Sequence, residues 1–426
     1  MGAAIVWISV MMLTAQNNMN PAKPTPEQAA WQDMELGMFI HFAPNTWQDL
    51  EGDDRSTPLD KINPTALDTD QWVSVAESMG AKYIVFVAKH VGGFCMWQTD
   101  TTDYSIKNTA WRDGKGDVLA DLSASCKKRG MKLGVYLSPR DDEHGVDTGG
   151  KCKDAAKQAE YDKLYRQQLT EVLSKYGELC EVWFDGSNII EVGDILKQHA
   201  PYAVIFQGKY ASIRWVGNED GIAPYPAWNT VKDSAPLGGA TAADGDPNGS
   251  KWIPNECDAR MRRDWFWNSK NAGTLKSVDE LMSMYYQSVG HGAVLLLNAT
   301  PDTTGRIPDA DAQRAAEFGS EIQRRFGKSL AETSGTGNTL ELTLTTPTPI
   351  DHIITMEDIT QGERVREYVL EGLQNGTWKE LCKGSAIGHK KIDQFKPIAV
   401  EKIRLHITAS AAEPIIRKLA AYSIGK

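Results

Sequence analysis

Basic runs are scarce in this chain. No Lys/Arg stretch exceeds Lys127-Lys128-Arg129, and the 426 residues carry a formal net charge of −10. A surface of that sign repels phosphate polyanions on average, which argues against nucleic acid or an anionic membrane as partner. The short run closes a predicted helix, where it opposes the negative end of the dipole. Metal-ligand spacings are missing as well. The six cysteines (Cys95, Cys126, Cys152, Cys180, Cys257, Cys382) show no CxxC pattern, and the eight histidines form no HExxH. Neither a metal nor a dense disulfide framework is expected. Without a GxGxxG or phosphate-loop motif, no nucleotide cofactor is expected either. Ala3 to Leu13 is too short to span a bilayer but suits the core of a signal peptide. Although a basic n-region is lacking, residues 1–20 are expected to be a leader, and the protein secreted or periplasmic.

What is present suits a large folded protein: 41% hydrophobic and 24% charged residues, with 13 Trp against 10 Phe. The length predicts two or three domains, or one barrel with an appendage. From residue 25 onward, helix and strand signals alternate. Thr25-Pro26-Glu27-Gln28 reads as a capped helix start, and Asp68 with Gln71 as another. Met38 to Phe42, Tyr83 to Ala88, Lys132 to Leu137, Glu181 to Phe184, Tyr202 to Gln207 and Val294 to Asn298 read as buried strands. A long helix is predicted from about Ala155 to Tyr176. Near-continuous apolar strands separated by helices mark a parallel sheet covered on both faces. At this length the expectation is an α/β fold: a (β/α)8-like barrel over residues 21–333.

The texture changes after about residue 335. Thr339 to Leu344 alternates polar and apolar residues, and short strands follow at 350–356, 367–371 and 400–407. This predicts a C-terminal antiparallel β-sandwich over residues 338–426, with Ser334-Gly335-Thr336-Gly337 as linker. The Gly-, Ala- and Asp-rich stretch at 232–251 is read as a long surface loop.

In parallel barrels the chemistry sits at the C-terminal strand ends. That directs attention to His41, His90, Tyr136 and Asp185. Asp185 closes an apolar strand, with Trp183 on the same side of it; it suits a nucleophile, or a cap of the next turn. Glu256 stands among Trp252, Trp265, Phe266 and Trp267, where desolvation would raise its pKa toward that of a general acid. It could equally pair structurally with Arg262, as could Asp258. His41 and His90 read either as core histidines or as ligand contacts.

Together these stretches resemble glycoside hydrolase family 29, the α-L-fucosidases, and in detail the subgroup acting on α-1,3/4-linked fucose. The resemblance runs from about Trp31 to Phe326. It rests on His41-Phe42, Ala88-Lys89-His90 with Gly93 to Trp97, Thr102 to Ser105, Gly134 to Pro139 and Glu181 to Gly186. It extends through Ile213 to Glu219, Trp252 to Asp258 with Arg262 and Trp265 to Trp267, Tyr285 to Gly290, and Leu295 to Asn298. It implies a retaining exo-glycosidase that needs no metal or cofactor, acting on a fucosylated glycan. Asp185 would be the nucleophile and Glu256 the acid/base. His41, His90, Tyr136, Trp183, Glu51, Arg262, Trp215 and Trp267 would bind substrate.

The sequence departs from that pattern at three places. His90-Val91-Gly92-Gly93 stands where the family has two His followed by Asp and Gly. Glu51 is followed by Gly52 rather than an aromatic, and Arg140 replaces a Trp after Ser138-Pro139. Two alternatives therefore stand beside fucose hydrolysis: a glycosidase for another L-sugar, such as α-L-galactose or a decorated fucose, and a non-catalytic glycan-binding protein.

Overall fold

The computed structural model describes residues 21–235 and 245–425. The apolar run at 3–13 lies outside them, as does the middle of the loop at 232–251. The ends of that loop are joined by a short antiparallel pairing of Thr230–Val231 with Lys251–Trp252.

Eight parallel strands form the first domain: β1 (Leu36–Ile40), β2 (Tyr83–Lys89), β3 (Lys132–Leu137), β4 (Glu181–Trp183), β5 (Val204–Phe206), β6 (Arg214–Trp215), β7 (Asn255–Arg260) and β8 (Val294–Asn298). Hydrogen bonding runs in the order β5-β4-β3-β2-β1-β8-β7-β6. A parallel bridge from Phe206 to Ile213 joins the two outer strands, so the sheet closes as a barrel.

The helices around it start where their sequences provide caps. Those of α1 (Pro26–Gln32), α2 (Thr69–Met79) and α3 (Val118–Arg129) are Thr25, Asp68 and Asp117, and each side chain accepts a first-turn N–H. α4 (Ala155–Lys175), α5 (Gly193–His199), α6 (Val278–Gln287) and α7 (Asp309–Phe326) continue the outer ring.

Side chains of alternate strand positions fill the barrel. Phe39, Tyr83, Val85, Val87, Tyr136, Trp183, Phe206 and Leu296 form one interior cluster, and Trp31 of α1 belongs to it. Gly37 is required by this packing. A Cβ there would lie 2.4 Å from the Tyr83 ring, so only glycine lets that ring cross the barrel.

The second domain is a six-stranded antiparallel sheet: β9 (Ala331–Thr336), β10 (Thr339–Glu357), β11 (Val365–Gln374), β12 (Thr377–Gly384), β13 (Lys391–Ser410) and β14 (Ile415–Tyr422), in the order β9-β14-β10-β13-β11-β12. Register shifts between Thr343 and Thr348 and between Ile350 and His352 interrupt the long β10–β13 pairing. Bulged irregularities of this kind bend strands, and the sheet wraps one apolar core that includes Leu342, Ile353, Val365 and Leu405. Ser334 to Thr336, expected in a linker, are part of β9. The domain therefore starts seven residues earlier than position 338, at Ala331.

Polar contacts hold the domains together. Asp33, just after α1, meets both His389 and Arg417 at 2.8 Å. Asn229 N donates to Glu363 at 3.0 Å, and Tyr286 meets His352 at 3.0 Å.

Candidate active site

A cavity of about 180 Å³ opens at the C-terminal end of the barrel. It is lined by Phe39, His41, His90, Tyr136, Trp183, Asp185, Glu219, Asp258 and Trp265. Drug-sized sites run to roughly 300–1,000 Å³; this one suits a single sugar ring.

Consecutive strands deliver one wall. His90 follows β2, Tyr136 is the penultimate residue of β3, Trp183 ends β4 and Phe206 ends β5. Their rings form a stack: His90 on Tyr136 (5.7 Å), Tyr136 on Trp183 (5.5 Å) and Trp183 on Phe206 (3.7 Å). Tyr136 donates its hydroxyl to Asp185 Oδ2 at 2.9 Å. Asp185 lies two residues past β4, before the left-handed pair Gly186 (φ 68°) and Ser187 (φ 103°).

Burial keeps both histidines neutral. His41 is pushed well below its ordinary value by desolvation, with His90 adding to the effect, and its Nδ1 meets Asn298 Oδ1 at 2.8 Å. His90 falls to about 4, again through desolvation, against the opposing charges of Asp185 and Asp53. The buried His90 Nδ1 has no protein partner. A neutral imidazole with a free nitrogen can serve a sugar hydroxyl.

The opposite wall is acidic. Glu219 lies on the loop after β6, its side chain 44% exposed, 3.3 Å from Arg260. Trp265 Nε1 also donates to it, at 3.2 Å, and Arg260 lies 5.0 Å over the Trp265 ring. Asp258, on β7, is 4% exposed and accepts from Trp215 Nε1 at 2.6 Å. Desolvation, and then the nearby Glu256, push the Asp258 carboxyl well above its ordinary range, which favours its protonated form.

The structure brings five of the expected site residues together: His41, His90, Tyr136, Trp183 and Asp185. Glu256 is not among them. It is the second residue of β7, in register with Val294 at the start of β8, whereas Arg260 pairs with Asn298 at the strand end. Its side chain is fully buried beneath Trp183, whose Nε1 donates to it at 2.7 Å, while Tyr83 donates to its other oxygen at 3.2 Å. The expected rise in its pKa is present, from desolvation and then from Glu181. A group with no exposed surface below the cavity floor cannot protonate a leaving group, so the expected role of Glu256 is corrected.

Four expected substrate contacts also lie elsewhere. Arg262 is buried in a multiple hydrogen-bonded pair with Asp311 (2.9 Å) and donates to Asn271 at 2.8 Å. It is a structural ion pair, but with neither Glu256 nor Asp258. Trp215 stands behind Asp258. Glu51 accepts from the backbone N–H of Trp265 at 2.8 Å and anchors that loop. Trp267, two residues beyond Trp265, does not line the cavity.

Phe39, Glu219, Asp258 and Trp265 were missed as site residues. Three of them stood inside motifs already singled out. The signal for Asp258 is the alternation over Asn255–Arg260, a strand that places 256, 258 and 260 on one face at rising height; Glu219 and Trp265 lie on loops, where no such periodicity exists.

Two of the departures from the family pattern, Gly92 and Arg140, have local contacts. A Cβ on Gly92 would lie 2.6 Å from Asp53 Oδ2, so the Asp53 side chain occupies the space a residue there would need. Asp53 is held by Tyr104 (2.6 Å) and Gln48 (2.8 Å). Arg140 turns to Asp142 at 2.8 Å.

Residues 45–325 match the family model described as Alpha-L-fucosidase. Alpha-L-fucosidase 1 of Arabidopsis thaliana is 31% identical, covering 94% of this chain and 87% of that protein. A glycoside hydrolase 29 family member from an unknown rumen bacterium is 32% identical, with TM-score 0.85, over 95% of this chain and 78% of the other. A Ruminococcus gnavus GH29 fucosidase in complex with fucose is 28% identical, with TM-score 0.81, over 95% of this chain and 96% of the other.

Proposed function

The chain belongs to the α-L-fucosidase family, glycoside hydrolase family 29, and from that premise we propose a retaining double displacement in which Asp185 is the nucleophile and Glu219 the acid/base. The overall reaction is hydrolysis of terminal α-linked L-fucose. The observation that supports this assignment is that Asp185 and Glu219 line one sugar-sized cavity, whereas Glu256 is sealed beneath it.

Asp185 attacks the anomeric carbon, and the glycosidic oxygen leaves with a proton from Glu219. Glu219 then takes a proton from water, which opens the fucosyl ester at Asp185. Glu219 suits this part because its side chain reaches solvent, where an aglycone departs and water enters. Asp258 does not, since it is only 4% exposed and one oxygen is tied to Trp215. In its protonated form, which burial favours, it can donate a hydrogen bond to a sugar hydroxyl. His41 and His90 supply further neutral polar contacts, while Phe39, Trp183 and Trp265 offer apolar faces for C–H groups and the methyl of fucose.

Two assays test the mechanism. Proton NMR of an aryl α-L-fucoside digest should show α-fucose first; initial β-fucose overturns retention. Glu219→Ala should lose poor leaving groups most and regain turnover of an activated aryl fucoside with azide. Wild-type-like kinetics in Glu219→Ala refute its role. The motif at 213–219 supports a preference for α-1,3/1,4 linkages, to be read from Lewis-type trisaccharides against α-1,2-fucosylated lactose. Export is proposed from the apolar run at 3–13 and is tested by sequencing the mature N-terminus.

A further inference from the structure

Two carboxyl groups at the base of the barrel have no part in the chemistry above. Glu256 and Glu181 are both fully buried, in a layer closed by Trp31, which donates to Glu181 Oε2 at 2.8 Å. Burying two acids costs stability, and apolar groups of similar volume would fill the space at lower cost. Their contacts indicate what they do there. Trp183 Nε1 donates to Glu256 Oε1 at 2.7 Å. The Trp183 ring is held between Phe206 (3.7 Å) and Tyr136 (5.5 Å), and Tyr136 in turn donates to Asp185.

We propose that Glu256 is a positioning residue for the fucosidase reaction: its carboxyl fixes the Trp183 indole from below, and through Trp183 the Tyr136 ring and the Asp185 carboxylate. This rests on the reading of Asp185 as nucleophile. Indoles have a single N–H donor, so one well-placed acceptor sets the ring's rotation about its own axis as well as its depth. Stacking alone leaves a ring free to slide in its plane. The acceptor therefore supplies the constraint that ring packing does not.

Glu181 completes the arrangement. Burial, followed by mutual repulsion, raises the Glu256 carboxyl, and burial raises that of Glu181 to about 7. The groups facing Glu256 are Glu181 and Trp183 from β4, Tyr83 from β2 and Asp258 from its own strand.

The test compares Glu256→Gln with Glu256→Leu in the full chain, on an aryl α-L-fucoside. Gln retains an acceptor for Trp183, and kcat should stay within about threefold of wild type. Leu fills the space without an acceptor. The variant should fold with a lower Tm, because the buried Trp183 N–H and Tyr83 hydroxyl lose their acceptor, and should lose kcat by about 10²-fold, the scale of a small misplacement at a reacting centre. KM should move much less, and the near-ultraviolet circular dichroism of the indoles should weaken in Leu but not in Gln. Glu256→Met, which keeps the chain length, replaces Leu if that variant does not fold. A folded apolar variant with wild-type kcat overturns the proposal. So does an equal loss in Gln and Leu, because the acceptor would then be irrelevant. Failure of the underlying reading is distinguishable: Asp185→Ala would retain turnover.

Discussion

The Tyr136 hydroxyl stands 2.9 Å from Asp185 Oδ2, a contact between the ends of neighbouring strands. Desolvation, and then the Asp185 charge, push the Tyr136 phenol far above its ordinary range, so it stays a donor throughout the working pH range. A hydrogen bond to a charged group contributes about 1.5–3 kcal/mol. Tyr136→Phe should therefore lower kcat/KM on aryl fucosides by about 10–100-fold. A value within twofold of wild type would mean the contact is idle.

Asp258 should tolerate amide but not methyl. Asp258→Asn keeps a neutral group that accepts from Trp215 and donates into the cavity. Its kcat/KM should stay within several-fold of wild type. Asp258→Ala leaves a sugar hydroxyl and the Trp215 N–H unpaired, at about 1–3 kcal/mol each. Fucose affinity, measured by calorimetry, should fall at least tenfold. Equal losses in the two variants would show that the ionised carboxylate is needed.

Arg262 should matter for stability rather than for binding. Removing one partner of a buried ion pair costs about 3–5 kcal/mol. Arg262→Met should lower the unfolding free energy in urea by that amount while KM changes less than twofold. A tenfold rise in KM in folded protein would return Arg262 to the substrate site.

Stability should fall as pH rises from about 6.5 to 8. Burial raises Glu357 from 4.5 to about 8, with Glu363 adding to it, and burial raises Glu363 itself to about 6. Glu181 behaves in the same way, at about 7. A raised carboxyl binds its proton more tightly when folded. Its contribution is full below the unfolded value and is lost as pH climbs through the folded one. Asp33 has the opposite sign. The hydrogen bond from His389 leads in lowering it to about 2, so its contribution is lost in acid. The buried histidines His41 and His90, lowered from 6.5 by desolvation, act with the opposite sign below that pH, so melting temperatures should decline between about pH 6.5 and 8, and Glu357→Gln should flatten that decline. A rise across that range contradicts the burial of these acids.

Much of the barrel was legible because its physics is local. Strands β1, β2 and β3 are runs of apolar residues, and the caps at Thr25, Asp68 and Asp117 mark the helices that flank them. The strands β6 and β7 were not legible. Arg214–Trp215 is only two residues long, and Asn255–Arg260 carries Asn, Glu, Asp and Arg, so neither shows an apolar run. Polar strands of this kind are stable inside a barrel because other strands supply their partners. The lack of an apolar run is why Asp258 and Glu256 cannot be told apart in height from the sequence.

By itself, the sequence determined which residues are apolar and where helices begin, and so that parallel strands must deliver His41, His90, Tyr136 and Asp185 to one end. The height of each carboxyl along the barrel axis was decided only by the tertiary structure. Glu256 and Asp258 are two residues apart on one strand, yet one is sealed beneath an indole and the other faces the cavity. Strand register and the packing of Trp183 across the barrel separate them, and both depend on contacts between residues distant in the chain.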